Sequence, residues 1–101
     1  MTTTQKAHDP ITPGEILVTE FLEPLGITQY RLAQATGLSQ TRISEVVRGK
    51  RAITTDTALR LSKALGVDDR FWINIQTDYN LEVERDLHSD ELAQVIVLVA
   101  S

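Results

Sequence analysis

The chain has 101 residues, 42% of them hydrophobic, with a net charge of −4 and no cysteine. This composition predicts a single globular domain with one modest core and argues against disorder, disulfides and thiolate metal sites. No apolar stretch approaches the ~20 residues that cross a bilayer, and the polar start does not have the pattern of a secretory leader, so we expect a cytoplasmic protein.

Five short helices are predicted over residues 11–85, after a flexible polar arm at residues 1–10. Thr12 and Glu15 can form a capping box at the start of the first helix, and Pro24 is predicted to stop that helix at Glu23. The other four helices are predicted to follow Thr28, Ser39, Thr55 and Asp68, over residues 29–36, 40–48 and 56–65 and from residue 69 onward. Short connections between them indicate a compact all-α domain.

Residues 86–101 form a C-terminal extension whose structure is ambiguous. The run Val-Ile-Val-Leu-Val at residues 95–99 fits a short strand as well as a helical stripe. We expect a helix near residues 90–94, and the conformation of the rest stays open. The extension is a candidate contact for a second copy of the chain or for another protein.

Residues 28–49 have the spacing of a DNA-binding helix-turn-helix. Ala33 is small where two crossing helices must approach, and Gly37 lies where the chain must reverse. Ile43 anchors the second helix from beneath. Counted from Gln29, these three residues occupy positions five, nine and fifteen, which is the spacing that the motif requires.

The acidic total conceals a basic segment. Residues 28–54 contain five basic residues and one acid, a local charge of +4, so the remainder of the chain carries −8. Residues 67–101 hold eight acids and only two arginines. A patch of one sign on a body of the other directs a polyanion to one face. A solvated surface explains the charges alone equally well, but the patch coincides with the helix-turn-helix.

An α-helix fits the major groove of DNA, where side chains can read base edges. With Ile43 and Val46 buried, a rotation of 100° per residue turns the polar side chains of residues 40–48 outward. Base contacts are predicted from Gln40, Thr41, Arg42, Ser44 and Glu45. Phosphate contacts are predicted from Gln29, Ser39, Arg48, Lys50 and Arg51.

Some of these roles have alternatives. Arg42 and Arg48 can pair with guanine or clamp a phosphate, and Glu45 can accept from cytosine or orient a neighbouring arginine. Lys50 and Arg51 can also be read as solvated loop charges. Because one such domain covers only a few base pairs, we expect a homodimer on an inverted repeat.

No pattern in the chain is typical of catalysis or of metal binding. His8 and His88 have no partners at ligand spacing, and Ser39 and Ser44 have no neighbouring base. A protein without enzymatic activity, metal or cofactor is therefore expected. Trp72 is expected in the core, and Gln76 is expected either to satisfy backbone groups or to lie at a partner surface.

From residue 12 to about residue 84 the chain resembles the HigA-type antitoxins, which belong to the lambda-repressor-like (XRE, Cro/C1) helix-turn-helix proteins. The resemblance is carried by the helix-turn-helix and by three further segments. These are Pro13-Gly14-Glu15-Ile16-Leu17, Gly49-Lys50-Arg51-Ala52-Ile53-Thr54, and Phe71-Trp72-x-Asn74-x-Gln76.

This resemblance implies a lambda-repressor-like fold and two roles. Such antitoxins repress their own operon, and they neutralise a co-encoded HigB toxin, a RelE-like endonuclease that cuts mRNA. The acidic C-terminal part would suit a basic toxin, with residues 86–101 as a candidate contact. Two alternatives are a free-standing regulator of the same fold without a toxin, and an interaction module that has lost DNA binding.

Overall fold

The computed structural model describes residues 9–100, and within them it contains six helices and no strand. The first helix, α1, is continuous and changes register twice, from α-helical Pro13–Ile16 through π-helical Leu17–Leu22 to α-helical Glu23–Leu25. The others are α2 (Gln29–Thr36), α3 (Gln40–Val47), α4 (Thr55–Leu65), α5 (Phe71–Leu87) and α6 (Ser89–Ala93). The all-α fold is confirmed. Residues 1–8 of the predicted arm lie outside the described residues, and no helix between residues 9 and 100 is long and apolar enough to span a membrane.

Local hydrogen bonds explain where several helices begin. The predicted capping box is present, since Thr12 Oγ1 accepts from the Glu15 N–H and Glu15 Oε1 accepts from the Thr12 N–H, each at 3.1 Å. The cap of α4 is Thr54 and not the predicted Thr55, because Thr54 is the last residue with extended backbone. The start predicted for α5 was two residues early, because Asp68 forms a turn before the first helical residue.

The prediction that Pro24 stops α1 is wrong. The helix runs on to Leu25, and Gly26 ends it with a φ of 66°. The π-helical turn explains the difference, since the Glu23 N–H donates to the Val18 carbonyl five residues back. This wider turn relieves the clash with the carbonyl four residues back that excludes proline from an α-helix interior.

The core lies where α1, α4 and α5 meet the two helices of the helix-turn-helix. Trp72 of α5 is fully buried, and its ring lies 5.4 Å from that of Phe21 and 5.2 Å from that of Phe71. The predicted core position of Trp72 is confirmed. The buried hydrophobic residues are Leu17, Leu22, Leu32, Ala33, Ile43, Val46, Ile53, Ala58, Leu61 and Trp72.

The C-terminal extension leaves this core. The helix expected near residues 90–94 is present as α6, which contacts α5. Residues 95–100 are neither helix nor strand, and the five apolar side chains at 95–99 are 68–91% exposed. The helical stripe therefore ends with α6, and an apolar segment follows it in solvent.

Candidate nucleic-acid interface

The helix-turn-helix is formed by α2 and α3, with residues 37–39 between them. Gly37 has a φ of 76°, a left-handed conformation that glycine tolerates best. Ala33 is 5% exposed and its carbonyl accepts from the Gly37 N–H at 3.0 Å. The reversal predicted at Gly37 is confirmed, and Ala33 is buried, as a close approach of the two helices at this small residue requires.

The outward face of α3 carries the predicted base-contacting residues. Ile43 and Val46 are buried at 1% and 2% exposure, which fixes the helix with its polar side turned to solvent. Of the ten predicted DNA-contacting residues, none is buried. Exposed are Gln29, Ser39, Gln40, Thr41, Arg48, Lys50 and Arg51, and half-buried are Arg42, Ser44 and Glu45.

Half of the predicted DNA-contacting residues share one shallow surface depression. They come from the start of α2 and from the outward face of α3, and they are Gln29, Gln40, Thr41, Ser44 and Arg48. Lys50 and Arg51 line a second depression, beyond the end of α3. Arg42 lines neither of these two. The structure thus joins α2 and α3 into one polar surface, with two loop cations beside it.

Both helices of the motif have capped N-termini. Thr28 Oγ1 accepts from the Arg31 N–H, and Ser39 Oγ accepts from the Arg42 N–H, each at 3.0 Å. The Ser39 hydroxyl keeps its own hydrogen, so it can still donate to an anion. Each cap therefore leaves the helix N-terminus ordered at the surface.

The loop after α3 folds back on the helix. Gly49 has a φ of 72°, and the Lys50 N–H donates to the Glu45 carbonyl at 2.8 Å. This brings Arg51 beside α3, where its Nε donates to Glu45 Oε1 at 2.7 Å. The arginine neighbour of Glu45 in the free protein is therefore Arg51. At the other end of the loop, the Ile53 N–H is held by a side chain of α5.

Two residues that position the motif had no predicted role in it. A Cβ at Gly14 would lie 2.1 Å from the Val46 carbonyl oxygen, so only glycine lets α1 approach the end of α3 this closely. Arg60 of α4 donates from Nη1 to the Thr36 carbonyl at 2.9 Å, at the end of α2. The sequence Pro13-Gly14-Glu15 predicts the start of a helix, but the capping box accounts for that start without giving Gly14 a role. Nothing local signals a contact between residues 24 positions apart.

Comparisons with known proteins agree with this geometry. The helix-turn-helix family model HTH_3 matches residues 18–72. Virulence-associated protein I of Dichelobacter nodosus is 49% identical over 80 residues, which cover 78% of this chain and 74% of that protein. Antitoxin HigA-1 of Vibrio cholerae is 38% identical over 92 residues, covering 91% of this chain and 87% of that protein.

A solved structure is similar over nearly its whole length. The Pseudomonas aeruginosa antitoxin HigA, determined with the higBA promoter, aligns with a TM-score of 0.83 and 33% identity. The alignment covers 89% of this chain and 99% of that one. The resemblance expected from the sequence is confirmed, and the chain belongs to the HTH_3 helix-turn-helix family, with HigA antitoxins among its relatives.

Proposed function

We propose that this chain is a DNA-binding antitoxin of a type II toxin–antitoxin system, acting in the cytoplasm without enzymatic activity, metal or cofactor. It binds an inverted-repeat operator as a homodimer, represses its own operon and neutralises a HigB-type, RelE-like mRNA endonuclease. The observation that carries the proposal is the continuous polar surface formed by the start of α2 and the outward face of α3.

The chemistry of that surface suits the major groove. The Gln40 amide can pair with both edge atoms of adenine, and Thr41 offers a hydroxyl and a methyl group. Gln29 lies at the start of α2, where backbone N–H groups and the helix dipole favour a phosphate. Arg48 at the end of α3 and Lys50 in the next loop supply cations at its far end. The relative solved with promoter DNA supports a DNA partner for this surface.

The small size of this surface supports a dimer. One α3 can span only a few base pairs, whereas two copies placed about 34 Å apart read two half-sites of an inverted repeat. The extension at residues 86–101 is our candidate for a protein contact, because its apolar segment at 95–99 is exposed and uncharged. A second copy of the chain and the toxin are the two partners that we consider for it.

The acidic side chains of α5 and α6 support the proposal that the protein partner is basic. Six exposed carboxylates lie on α5 and α6, on different helices from the DNA-contacting face, and opposite charges accelerate association. They are Asp78, Glu82, Glu84, Asp86, Asp90 and Glu91. An RNA-cutting enzyme needs a basic surface for its substrate, so an acidic antitoxin face can cover it. Solubility alone is the competing explanation for these charges.

The DNA-binding part is tested by electrophoretic mobility shift with the DNA upstream of the gene itself. The wild-type protein is expected to shift that DNA, and the double variant Gln40→Ala, Thr41→Ala is expected to shift it at least tenfold less well. Thr77→Ala, at an exposed position on α5 outside the motif and outside the extension, is the matched control. A wild-type protein that gives no shift would favour an interaction module that has lost DNA binding.

The antitoxin part is tested by co-expression with the open reading frame beside the gene. If that neighbour arrests growth and this chain restores it, the antitoxin role is supported. A neighbour that is harmless would favour the free-standing regulator.

Deleting residues 95–101 then identifies what the extension contacts. Light scattering reports loss of the dimer, and pull-down of the neighbour reports loss of toxin binding. If neither property changes, residues 95–101 are not the contact.

A further inference from the structure

Arg51 is held against the end of the recognition helix α3. Its Nε donates to Glu45 Oε1 at 2.7 Å, the short distance of a charge-assisted hydrogen bond. The Glu45 side chain is 29% exposed and that of Arg51 is 46% exposed. The pair therefore lies at the edge of the proposed DNA-binding surface, with one member on the helix and one in the loop.

The backbone of the loop makes this contact possible. The left-handed Gly49 and the bond from the Lys50 N–H to the Glu45 carbonyl return the chain over the last turn of α3. Ile53, at the other end of the loop, is fixed to the core through α5. Because both ends are fixed, the position of the Arg51 guanidinium depends mainly on what holds its side chain.

The donor count of the guanidinium decides what each residue can do. Arginine has five N–H donors, and the bond to Glu45 uses the one on Nε. Four donors on the two Nη atoms remain, in the planar arrangement that pairs with a phosphate through two parallel bonds. The bond in turn holds the Glu45 carboxylate toward the loop through Oε1, and leaves only its remaining lone pairs for a base.

We propose that Glu45 is a positioning residue, which aims the free Nη donors of Arg51 at a DNA phosphate and does not itself read a base. The proposal rests on the proposed function, because it requires that α3 binds DNA. On this proposal the partner of Glu45 is Arg51, and Glu45 is not one of the residues that contact bases. It also explains how an acidic residue is tolerated on a helix that approaches a polyanion.

The test is a double-mutant cycle on the operator DNA that the wild-type protein binds, with affinity measured by fluorescence anisotropy. Glu45→Gln keeps the shape of the side chain and removes its charge. With Arg51 present, this change is expected to weaken binding about fivefold. In the Arg51→Ala background it is expected not to weaken binding, because the positioned donor is already absent.

The order of preference among operator sequences separates the two roles of Glu45, because a residue that contacts a base would change this order when it is replaced. On a set of operators with single base-pair changes, the Glu45→Gln protein is expected to keep the wild-type order of preference. The proposal is overturned if Glu45→Gln weakens binding by the same factor in both backgrounds, or if it alters preference at one base pair.

The matched control pairs Glu45→Gln with Lys50→Ala. Lys50 is adjacent to Arg51, but within residues 9–100 the structure gives it no ion pair with Glu45. The two changes are therefore expected to be additive, and the same coupling as with Arg51 would indicate a general charge effect and contradict the proposal. If the wild-type protein binds no operator DNA, the proposed function has failed as well, which the cycle distinguishes from failure of the positioning role alone.

Discussion

The backbone N–H of Ile53 donates to the side-chain Oε1 of Gln76 at 2.8 Å, across 23 residues of sequence. Ile53 is buried at the end of the loop that carries Lys50 and Arg51, and Gln76 is a buried polar residue of α5. The Gln76 amide is oriented by Asn80, whose Oδ1 accepts from Nε2 at 2.9 Å. Since a buried backbone donor must be paired, this bond connects the loop beside the proposed DNA-binding surface to the core.

We expect Gln76→Ala to lower the free energy of unfolding by about 1–3 kcal/mol, because it leaves the Ile53 N–H buried without a partner. Urea unfolding followed by circular dichroism measures the change. Gln94→Ala, at an exposed position just after α6, is the control and is expected to stay within about 0.5 kcal/mol of the wild type. Equal losses in the two variants would mean that the bond to Ile53 contributes nothing.

Features of this fold that depend on local sequence could be predicted. The positions of α2 and α3 follow from their caps and from the 3.6-residue period of buried side chains, and both helices start where predicted. The reversal at Gly37 could be predicted because a left-handed residue is a local requirement. The outward face of α3 then followed from helical geometry.

Features that depend on contacts between distant residues could not be predicted in the same way. The passage of α1 through Pro24 requires a π-helical turn, which no local pattern marks. The role of Gln76 was left between two alternatives, because its partner lies in another segment of the chain. For Glu45, the sequence left open a contact with cytosine or with a neighbouring arginine, and only the fold back after Gly49 brings Arg51 beside it.

Gly14→Ala is expected to destabilise the protein more than Gly26→Ala. A Cβ at Gly14 would meet backbone oxygens of Val46 and Val47 at 2.1 and 2.6 Å, so α1 and α3 must separate, at a cost of about 3 kcal/mol or more. A Cβ at Gly26 would have no such atom within 4 Å, so alanine there costs only about 1–2 kcal/mol of left-handed backbone strain. Thermal and urea unfolding of the two variants give the order. A reversed order would contradict the close approach of the two helices.

Ser39 has two predicted roles, and two substitutions separate them. Ser39→Ala removes the cap of α3 and is expected to cost about 1 kcal/mol of stability. Ser39→Asp keeps a capping oxygen and places a negative charge at the helix N-terminus, so stability is expected to be retained. If Ser39 contacts a phosphate, the aspartate should nevertheless weaken operator binding about tenfold, since like charges then meet. Normal operator affinity in Ser39→Asp would remove Ser39 from the phosphate contacts.

Lys50→Ala is expected to reduce the salt dependence of DNA binding. Each lost phosphate contact lowers the slope of log K against log salt concentration by about one unit, because one condensed counterion fewer is released. Lys63→Ala, an exposed lysine on α4 without a predicted DNA contact, is the control for loss of one positive charge, and its slope is expected to stay unchanged. An unchanged slope in Lys50→Ala would make Lys50 a solvated loop charge, and the phosphate contacts at this end of α3 would then rest on Arg48 and Arg51.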